Sequence, residues 1–197
     1  MKDCSNLFTT LKRNPATAHA FIANIIRSPH NYGPWSLQGF GMLRLYLTSE
    51  IRLHVWDNRF ANKDASIIHD HPWDFNSFVL TGQIINHRYK KTMRPDGDFK
   101  EAVIKCGPGG CLVSTNRCDL EKVRTETFGP GDDYIQLAEE IHSSHPDNGT
   151  ITIVERQFKA DTEHAHVYYP TWEQWGSAEP RRATDREIEA ILASTNL

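Results

Sequence analysis

The feature that most constrains the fold is a run of short β-rich segments between about residues 40 and 158. No helical periodicity of useful length interrupts this run, and clusters of turn residues divide it. These clusters are Asn62-Lys63-Asp64, Pro95-Asp96-Gly97, Gly107-Pro108-Gly109-Gly110, Gly129-Pro130-Gly131-Asp132 and Pro146-Asp147-Asn148-Gly149. Many short strands with frequent turns favour a β-sandwich or β-barrel over a βαβ sheet.

Both ends of the chain read as helices. Asn14-Pro15 combines a helix cap with a proline at the first helical position, and apolar residues follow at helical spacing. That apolar stripe comprises Ala18, Phe21, Ile22, Ile25 and Ile26. Near the C-terminus, the capping-box pattern Thr184-Asp185-Arg186-Glu187 precedes another apolar stripe. We therefore predict one domain over 1–197, with a helical segment at 1–35, the β region at 40–158 and a helix at 184–195.

Composition excludes several classes of partner. The 197 residues include 22 Lys and Arg against 25 Asp and Glu, and this balance gives no electrostatic footprint for nucleic acid. No basic amphipathic helix and no long apolar run points to a membrane. The first residues lack the apolar stretch of a signal peptide, so we expect a cytoplasmic protein.

The four cysteines, Cys4, Cys106, Cys111 and Cys118, do not form the framework expected of a disulfide-rich protein. The last three lie close together in sequence, but without a CxxC pair. We interpret them as reduced thiols near a tight turn, and a metal or redox role stays open.

The strongest chemical signal is the segment Ile68-His69-Asp70-His71. Residues two apart in a strand point to the same face, so His69 and His71 can converge on one ion. Neutral imidazoles suit iron, nickel, copper, manganese or zinc. Taken alone, such a pair is also compatible with hydrogen-bonded or surface histidines.

Two separated motifs resemble those of the cupin superfamily. The first is the HxH of His69 and His71 with a later Gly82, and the second is Gly131-Asp132, a short strand and then His142. The resemblance covers about residues 50–158 and implies a mainly β fold: a cupin-type barrel, or jelly roll, with N- and C-terminal helices. It also implies that His69, His71 and His142 bind one divalent transition metal, with iron favoured and nickel, zinc or manganese as alternatives.

The chain departs from the cupin pattern in two respects. The proline and glycine of the second motif would fall at Leu137 and Glu139, so we expect the loop before His142 to have a different shape. The glutamate of the first cupin motif, usually a fourth ligand, would fall at Phe75 or Asn76. A site of three neutral histidines is similar to the iron centre of cysteine dioxygenase and related thiol dioxygenases. Asp74 is an alternative carboxylate ligand, although a carboxylate that accepts hydrogen bonds from the backbone is also expected there.

Other residues are candidates for the same region. His145 could replace His142 as third ligand or lie beside the metal, His87 could line the pocket, and Trp73 could pack at its rim. His164 and His166 form a second HxH, for which we favour a surface or terminal-strand role. Four strand arginines, Arg44, Arg52, Arg88 and Arg156, could anchor a substrate, and the sequence does not reveal which of them point inward.

These patterns lead to one functional hypothesis and two alternatives. The first is a mononuclear metal oxidoreductase, such as a dioxygenase, that acts on a small polar molecule. The alternatives are a non-catalytic cupin that binds a small ligand or a metal, and a metal-dependent isomerase or lyase with His145 or His87 as general base. We also expect a weakly held homodimer, with the apolar stripe of residues 18–26 as a candidate interface.

Overall fold

The structure is a computed structural model that describes residues 5–62, 67–105, 112–158, 164–173 and 180–197. It is mainly β, with short helices at both ends, as predicted. The helices are α1 (Ser5–Arg13), α2 (Pro15–Arg27), a 3-10 turn (Pro29–Asn31) and α3 (Asp185–Leu192). Over the described ranges, no helix is long and apolar enough to cross a membrane.

Within the described residues, thirteen strands form two antiparallel units. A seven-stranded sheet has the order β13 (Arg181–Arg182), β1 (Trp35–Gln38), β2 (Phe40–Tyr46), β3 (Ile51–Ala61), β11 (Ile151–Phe158), β5 (Trp73–Thr81) and β9 (Asp133–Gln136). A closed barrel consists of β10 (His142–Pro146), β4 (Ile68–His69), β12 (His164–Pro170), β7 (Phe99–Lys105), β8 (Leu112–Phe128) and β6 (Ile84–Met93). The predicted fold class, a β-barrel with terminal helices, is confirmed.

Several strands differ from the sequence-based expectation. Strands β1, β12 and β13 lie outside the expected range of 40–158, and neither β8 nor β10 was predicted. Gly82 lies in the turn that separates β5 from β6. Gly82 has a φ of 75°, and a Cβ there would lie 2.3 Å from Thr150 Oγ1, so this turn requires glycine.

The main hydrophobic core lies between the helices and one face of the seven-stranded sheet. Alternate residues of the central strands β3 and β11 supply the sheet side of this core, because successive strand residues point to opposite faces. Its fully buried members include Ala18, Ile22, Ile25, Leu43, Ile51, Leu53, Val55, Ile151, Ile153 and Ile191. The helices at the two ends of the chain therefore cover the same sheet.

This packing corrects one expectation. The apolar stripe of residues 18–26 was a candidate dimer interface, but Ala18, Ile22 and Ile25 are each 0% exposed within the single chain. The stripe is used to cover the sheet, so it is not available to a second copy. The homodimer stays a prediction without it.

The other face of the seven-stranded sheet, which we call the inner face, is rich in polar residues. Arg44 lies opposite His54 across the β2–β3 pair, and Thr152 lies opposite His54 across the β3–β11 pair. His54 and Thr152 are buried, as is the neighbouring Arg52. Burying polar side chains is costly unless they find partners, so the inner face is a candidate location for a functional site.

The predicted capping box at the start of α3 is present. Thr184 Oγ1 accepts a hydrogen bond from the Glu187 backbone N–H at 3.3 Å, and the Thr184 backbone N–H donates to Glu187 Oε2 at 2.9 Å. Arg181 also forms a salt bridge with the Glu187 carboxylate at 2.5 Å. The guanidinium of Arg181, followed by the hydrogen bonds from Thr184, lowers the pKa of Glu187 to about 2.

We predict that this carboxylate stabilises the fold in a pH-dependent way. Its folded-state pKa is depressed, so its contribution is present above the ordinary Glu value of 4.5 and is lost as the pH falls towards about 2. Urea unfolding of wild type and Glu187→Gln from pH 7 to pH 2 should show wild type more stable at pH 7, by up to about 1 kcal/mol. The difference should vanish near pH 2, and a constant difference across the range would contradict this prediction.

Candidate metal centre

Strand pairing brings together the three histidines expected from the sequence. His142 on β10 lies directly opposite His69 on β4, and His71 follows β4 just before β5 begins. The backbone N–H of Glu139 donates to the carbonyl oxygen of His71 at 2.9 Å, which ties the two segments together near the site. The HxH and the distant His142 therefore meet because of one antiparallel pair.

The three imidazoles form a compact cluster. Ring centroids lie 4.7 Å apart for His69 and His71, 4.7 Å for His69 and His142, and 5.3 Å for His71 and His142. One ligand atom from each histidine lies within 4.8 Å of the others. Nε2 of His71 is 3.1 Å from Nε2 of His142, close to the separation of about 3 Å expected for two nitrogens on one ion. The geometry of these three residues fits a metal ion.

Hydrogen bonds orient two of the rings. Nδ1 of His142 donates to the side-chain oxygen of the buried Asn86 at 3.0 Å, and Nδ1 of His69 donates to the Ile67 carbonyl at 3.0 Å. Since each Nδ1 carries the proton, each Nε2 keeps a lone pair directed into the cluster. Metal-binding histidines are usually held by such a partner on the other ring nitrogen.

Burial keeps the three rings neutral. Desolvation lowers the pKa of His69, and it lowers those of His71 and His142 well below the usual value for histidine. The His69 ring also disfavours a positive charge on His71 and His142, and Arg52 and His54 add to this effect at His71. Neutral imidazole is the form that binds a metal, so the site does not need to lose protons first.

Aromatic side chains form the walls of the site. Phe40 stacks on His69 with centroids 5.1 Å apart, and Phe75 contacts His71 edge-on at 5.1 Å and lies 6.3 Å from His142. Phe75 thus lies against two of the histidines at one of the two positions where the cupin glutamate would fall. Over the described ranges, the three histidines form the one cluster of His, Cys, Asp and Glu with metal-binding spacing.

The other residues considered along β5 have different surroundings. Asp74 and Asn76 alternate with Phe75, so they lie on the opposite face of the strand from the histidines. Asp74 accepts a hydrogen bond from the Ala138 backbone N–H at 2.6 Å, in line with the backbone-bonding alternative. Trp73 lies on the same side as Phe75, with its ring 5.8 Å from that of His71.

His87 and His145 lie together, but away from the cluster. Their rings are 4.8 Å apart, and they alternate along β6 and β10 with Asn86 and His142, so they face the opposite side. His145 Nε2 is 3.0 Å from Ser143 Oγ, and His87 Nδ1 is 2.9 Å from Thr125 Oγ1. In this arrangement neither lines the pocket next to His142.

The second HxH belongs to the barrel strand β12. Asp70 accepts hydrogen bonds from the ring Nδ1 of His166 at 2.7 Å and from its backbone N–H at 2.6 Å. This carboxylate raises the pKa of His166. His164 is exposed at the start of the same strand. The acidic residue between the two ligands of the first HxH thus connects β4 to β12.

The strand arginines divide into two groups. Arg88 is buried and already paired: it donates to Glu126 at 2.7 Å, to Gln136 at 3.1 Å and to the Ile135 carbonyl at 3.1 Å. Arg44, Arg52 and Arg156 lie instead on the inner face of the seven-stranded sheet. Arg88 therefore joins strands, and the other three are the candidates for contact with a ligand.

The cysteine cluster is only partly described. Cys4, Cys106 and Cys111 lie outside the described residues. Cys118 is a free thiol at 0% exposure, and burial raises its pKa to about 11. A buried thiol of this kind is protonated and poorly reactive, which agrees with the interpretation of Cys118 as an ordinary reduced thiol.

A comparison with protein-family models and with curated proteins finds no match. The closed antiparallel barrel and the cluster of His69, His71 and His142 are compatible with a cupin-like fold. The assignment of the site therefore depends on its geometry alone.

Sequence reasoning missed Asn86 and Phe40, and it could not orient Arg52 and His54. Asn86 lies in the mixed apolar and polar run from Ile84 to Arg88, and nothing in this pattern links it to His142 until β6 pairs with β10. An available signal was the alternation along β3, where apolar Ile51, Leu53 and Val55 alternate with Arg52 and His54.

We predict that Asn86 sets metal affinity through the His142 ring. Replacing it with leucine removes the acceptor of the Nδ1 proton at similar volume, so affinity for zinc or cobalt should fall about 10- to 100-fold. Asn86→Asp keeps an acceptor and should retain the affinity, and the exposed Asn24→Leu serves as a matched control. Competition with a chromophoric chelator measures the constants, and equal affinities for Asn86→Leu and wild type would contradict the prediction.

Proposed function

We propose that this protein is a mononuclear non-haem metalloenzyme of cupin type, with dioxygenase-like chemistry on a small polar substrate. The observation that supports it is the convergence of three neutral imidazoles, two of them with Nε2 directed inward by a hydrogen bond at Nδ1. His69, His71 and His142 would hold one divalent transition metal, with iron preferred and nickel, zinc or manganese as alternatives.

The chemistry follows from the ligand set. A divalent iron held by three neutral ligands would supply open coordination positions for an anionic substrate and for O2. Phe40, Phe75 and Trp73 would exclude bulk water from that space, since their rings contact the histidines on the side of the seven-stranded sheet. His69 and His71 are half-buried, whereas His142 is buried, so access is expected from the side of the HxH.

One observation favours a non-catalytic metal-binding or ligand-binding protein as a second candidate. Phe75 lies against both His71 and His142, and a ring in that position could restrict the open coordination positions that catalysis needs. The isomerase or lyase alternative has no such support, because His145 and His87, its expected general bases, lie on the opposite face of their strands.

We predict that protein purified without chelators carries about one equivalent of metal, and that His71→Ala loses it. His145→Ala is the matched control, because His145 was the rival third ligand and faces away from the cluster. Elemental analysis after gel filtration measures the content. Equal loss in both variants, or no uptake of iron, nickel, zinc or manganese by wild type, would mean that the three histidines are structural.

We further predict that O2 consumption requires both iron and a substrate. An oxygen electrode should record O2 uptake when iron-loaded protein is mixed with at least one compound from a panel of small thiols and organic acids. Zinc-loaded protein should consume no O2 with the same compound. Metal binding without O2 uptake across the panel would contradict the oxygenase proposal and favour the non-catalytic candidate.

A further inference from the structure

The inner face of the seven-stranded sheet carries three arginines and a histidine beside the candidate metal centre. This face carries Arg44 of β2, Arg52 and His54 of β3, and Arg156 of β11. Arg44 lies opposite His54, and Val154 lies opposite Arg52. Arg156 follows Val154 by two residues on β11, so it points to the same face. We call these four residues the arginine cluster. Three neighbouring strands thus direct positive charge into one region.

The charge of Arg52 is buried and poorly compensated. Arg52 is 7% exposed and His54 is 8% exposed, and Arg52 Nε and His54 Nε2 have no hydrogen-bond partner. Within the part of the chain that the structure describes, no carboxylate forms a salt bridge with Arg44 or Arg52. Burial and the neighbouring Arg156 lower the pKa of Arg52 to about 9. Buried charges are normally paired, so an incoming anion is the missing element.

Aromatic rings hold the guanidinium groups without using up their donors. The guanidinium carbons of Arg44, Arg52 and Arg156 lie 5.1, 4.8 and 5.7 Å from the centre of the Tyr46 ring. The centre of the Trp73 ring lies 5.7 Å from the guanidinium carbon of Arg52 and 5.2 Å from the guanidinium carbon of Arg156. Stacking on a ring does not occupy the in-plane N–H groups of a guanidinium, so Arg44 and Arg52 can still donate to an oxyanion.

Other contacts fix these side chains in place. Arg44 Nε donates to Ser36 Oγ at 3.1 Å, and one terminal nitrogen of Arg156 donates to the Ser49 carbonyl at 2.8 Å. Arginines that are already ordered lose little conformational freedom when a ligand binds. The cluster is therefore organised before binding.

Trp73 connects the arginine cluster to the histidine site. Its ring contacts the guanidinium groups of Arg52 and Arg156 on one hand and lies 5.8 Å from the His71 ring on the other. Between the two sites lie Phe75 and Val154, which pack together in one apolar group. A small molecule with an anionic end and an apolar body could therefore contact the arginine cluster at one end and the histidine site at the other.

We propose that the arginine cluster binds a doubly charged oxyanion, a phosphate or dicarboxylate group, at one end of the substrate. The guanidinium groups of Arg44 and Arg52, which form no salt bridge with a described carboxylate, match the two charges of a dianion better than a single carboxylate. The position of the reacting end rests on the function proposed above, whereas the binding of the anion requires no metal. Phosphate and dicarboxylate groups both carry two negative charges, and inorganic phosphate and succinate serve as separate probes that distinguish them.

Calorimetry on metal-free protein tests this directly. Inorganic phosphate or succinate should bind at least about tenfold more tightly than acetate, and the preferred probe identifies the kind of dianion. Arg52→Met should weaken that binding by at least about tenfold, while Arg13→Met, which removes an exposed arginine of α1, should not change it. No preference for dianions in wild type, or equal losses in both variants, would overturn the proposal.

Thermal unfolding separates lost binding from lost folding. Because Arg52→Met removes a buried cation, its Tm in anion-free buffer should be no lower than that of wild type. The preferred dianion should raise the Tm of wild type and of Arg13→Met, but not that of Arg52→Met. An equal rise in Arg52→Met would overturn the proposal.

The variant His71→Ala keeps the two proposals distinguishable. It should bind the dianion like wild type although it has lost the metal site. Anion binding through Arg52 in a protein that takes up no metal would support this inference and contradict the proposed function. Metal uptake without dianion binding would overturn this inference alone.

Discussion

The structure depends on the alternation of side chains along the central strands β3 and β11. One set of residues, including Leu53 and Ile153, packs under the helices in the main hydrophobic core. The alternate set, including Arg52, His54 and Thr152, is thereby committed to the inner face. A shift of register by one residue would move the arginines into the apolar core, so the core fixes the position of the polar face.

This division explains how the chain can bury so many polar groups near one site. The helices provide the apolar burial that stabilises the fold, which leaves the inner face available for ligand chemistry. Some buried polar groups near the site are satisfied within the chain, such as Arg88 of the barrel strand β6 with Glu126 and Gln136. Others, such as Arg52 Nε, lack an internal partner. Functional sites are where proteins retain such costs.

Part of this architecture could be predicted from local sequence. The capping box at Thr184 involves residues of a single helical turn. The convergence of His69 and His71 was predicted from strand alternation alone. The distant His142 was predicted from its resemblance to a second cupin motif, and pairing with β4 brings it opposite His69.

The rest required tertiary contacts. Strand β8 was missed because its many charged residues show no clean apolar alternation, and its pairing with β6 and β7 is non-local. The role of Asn86 depends on β6 lying beside β10. Alternation along β3 indicates the polar side on which Arg52 lies, but only the register of β2, β3 and β11 shows that Arg44 and Arg156 share that side.

The central claim is that His69, His71 and His142 bind a single ion, and anomalous scattering from a metal-loaded crystal tests it most directly. Data collected on both sides of the absorption edge of the bound metal locate that ion independently of the protein model. The account predicts one strong anomalous peak at about 2.0–2.2 Å from a ring nitrogen of each histidine, with Asn86 still accepting from Nδ1 of His142. A peak elsewhere in the protein would contradict it. So would a structure with excess metal in which no ion is bound by the three histidines and Nε2 of His71 stays 3.1 Å from Nε2 of His142.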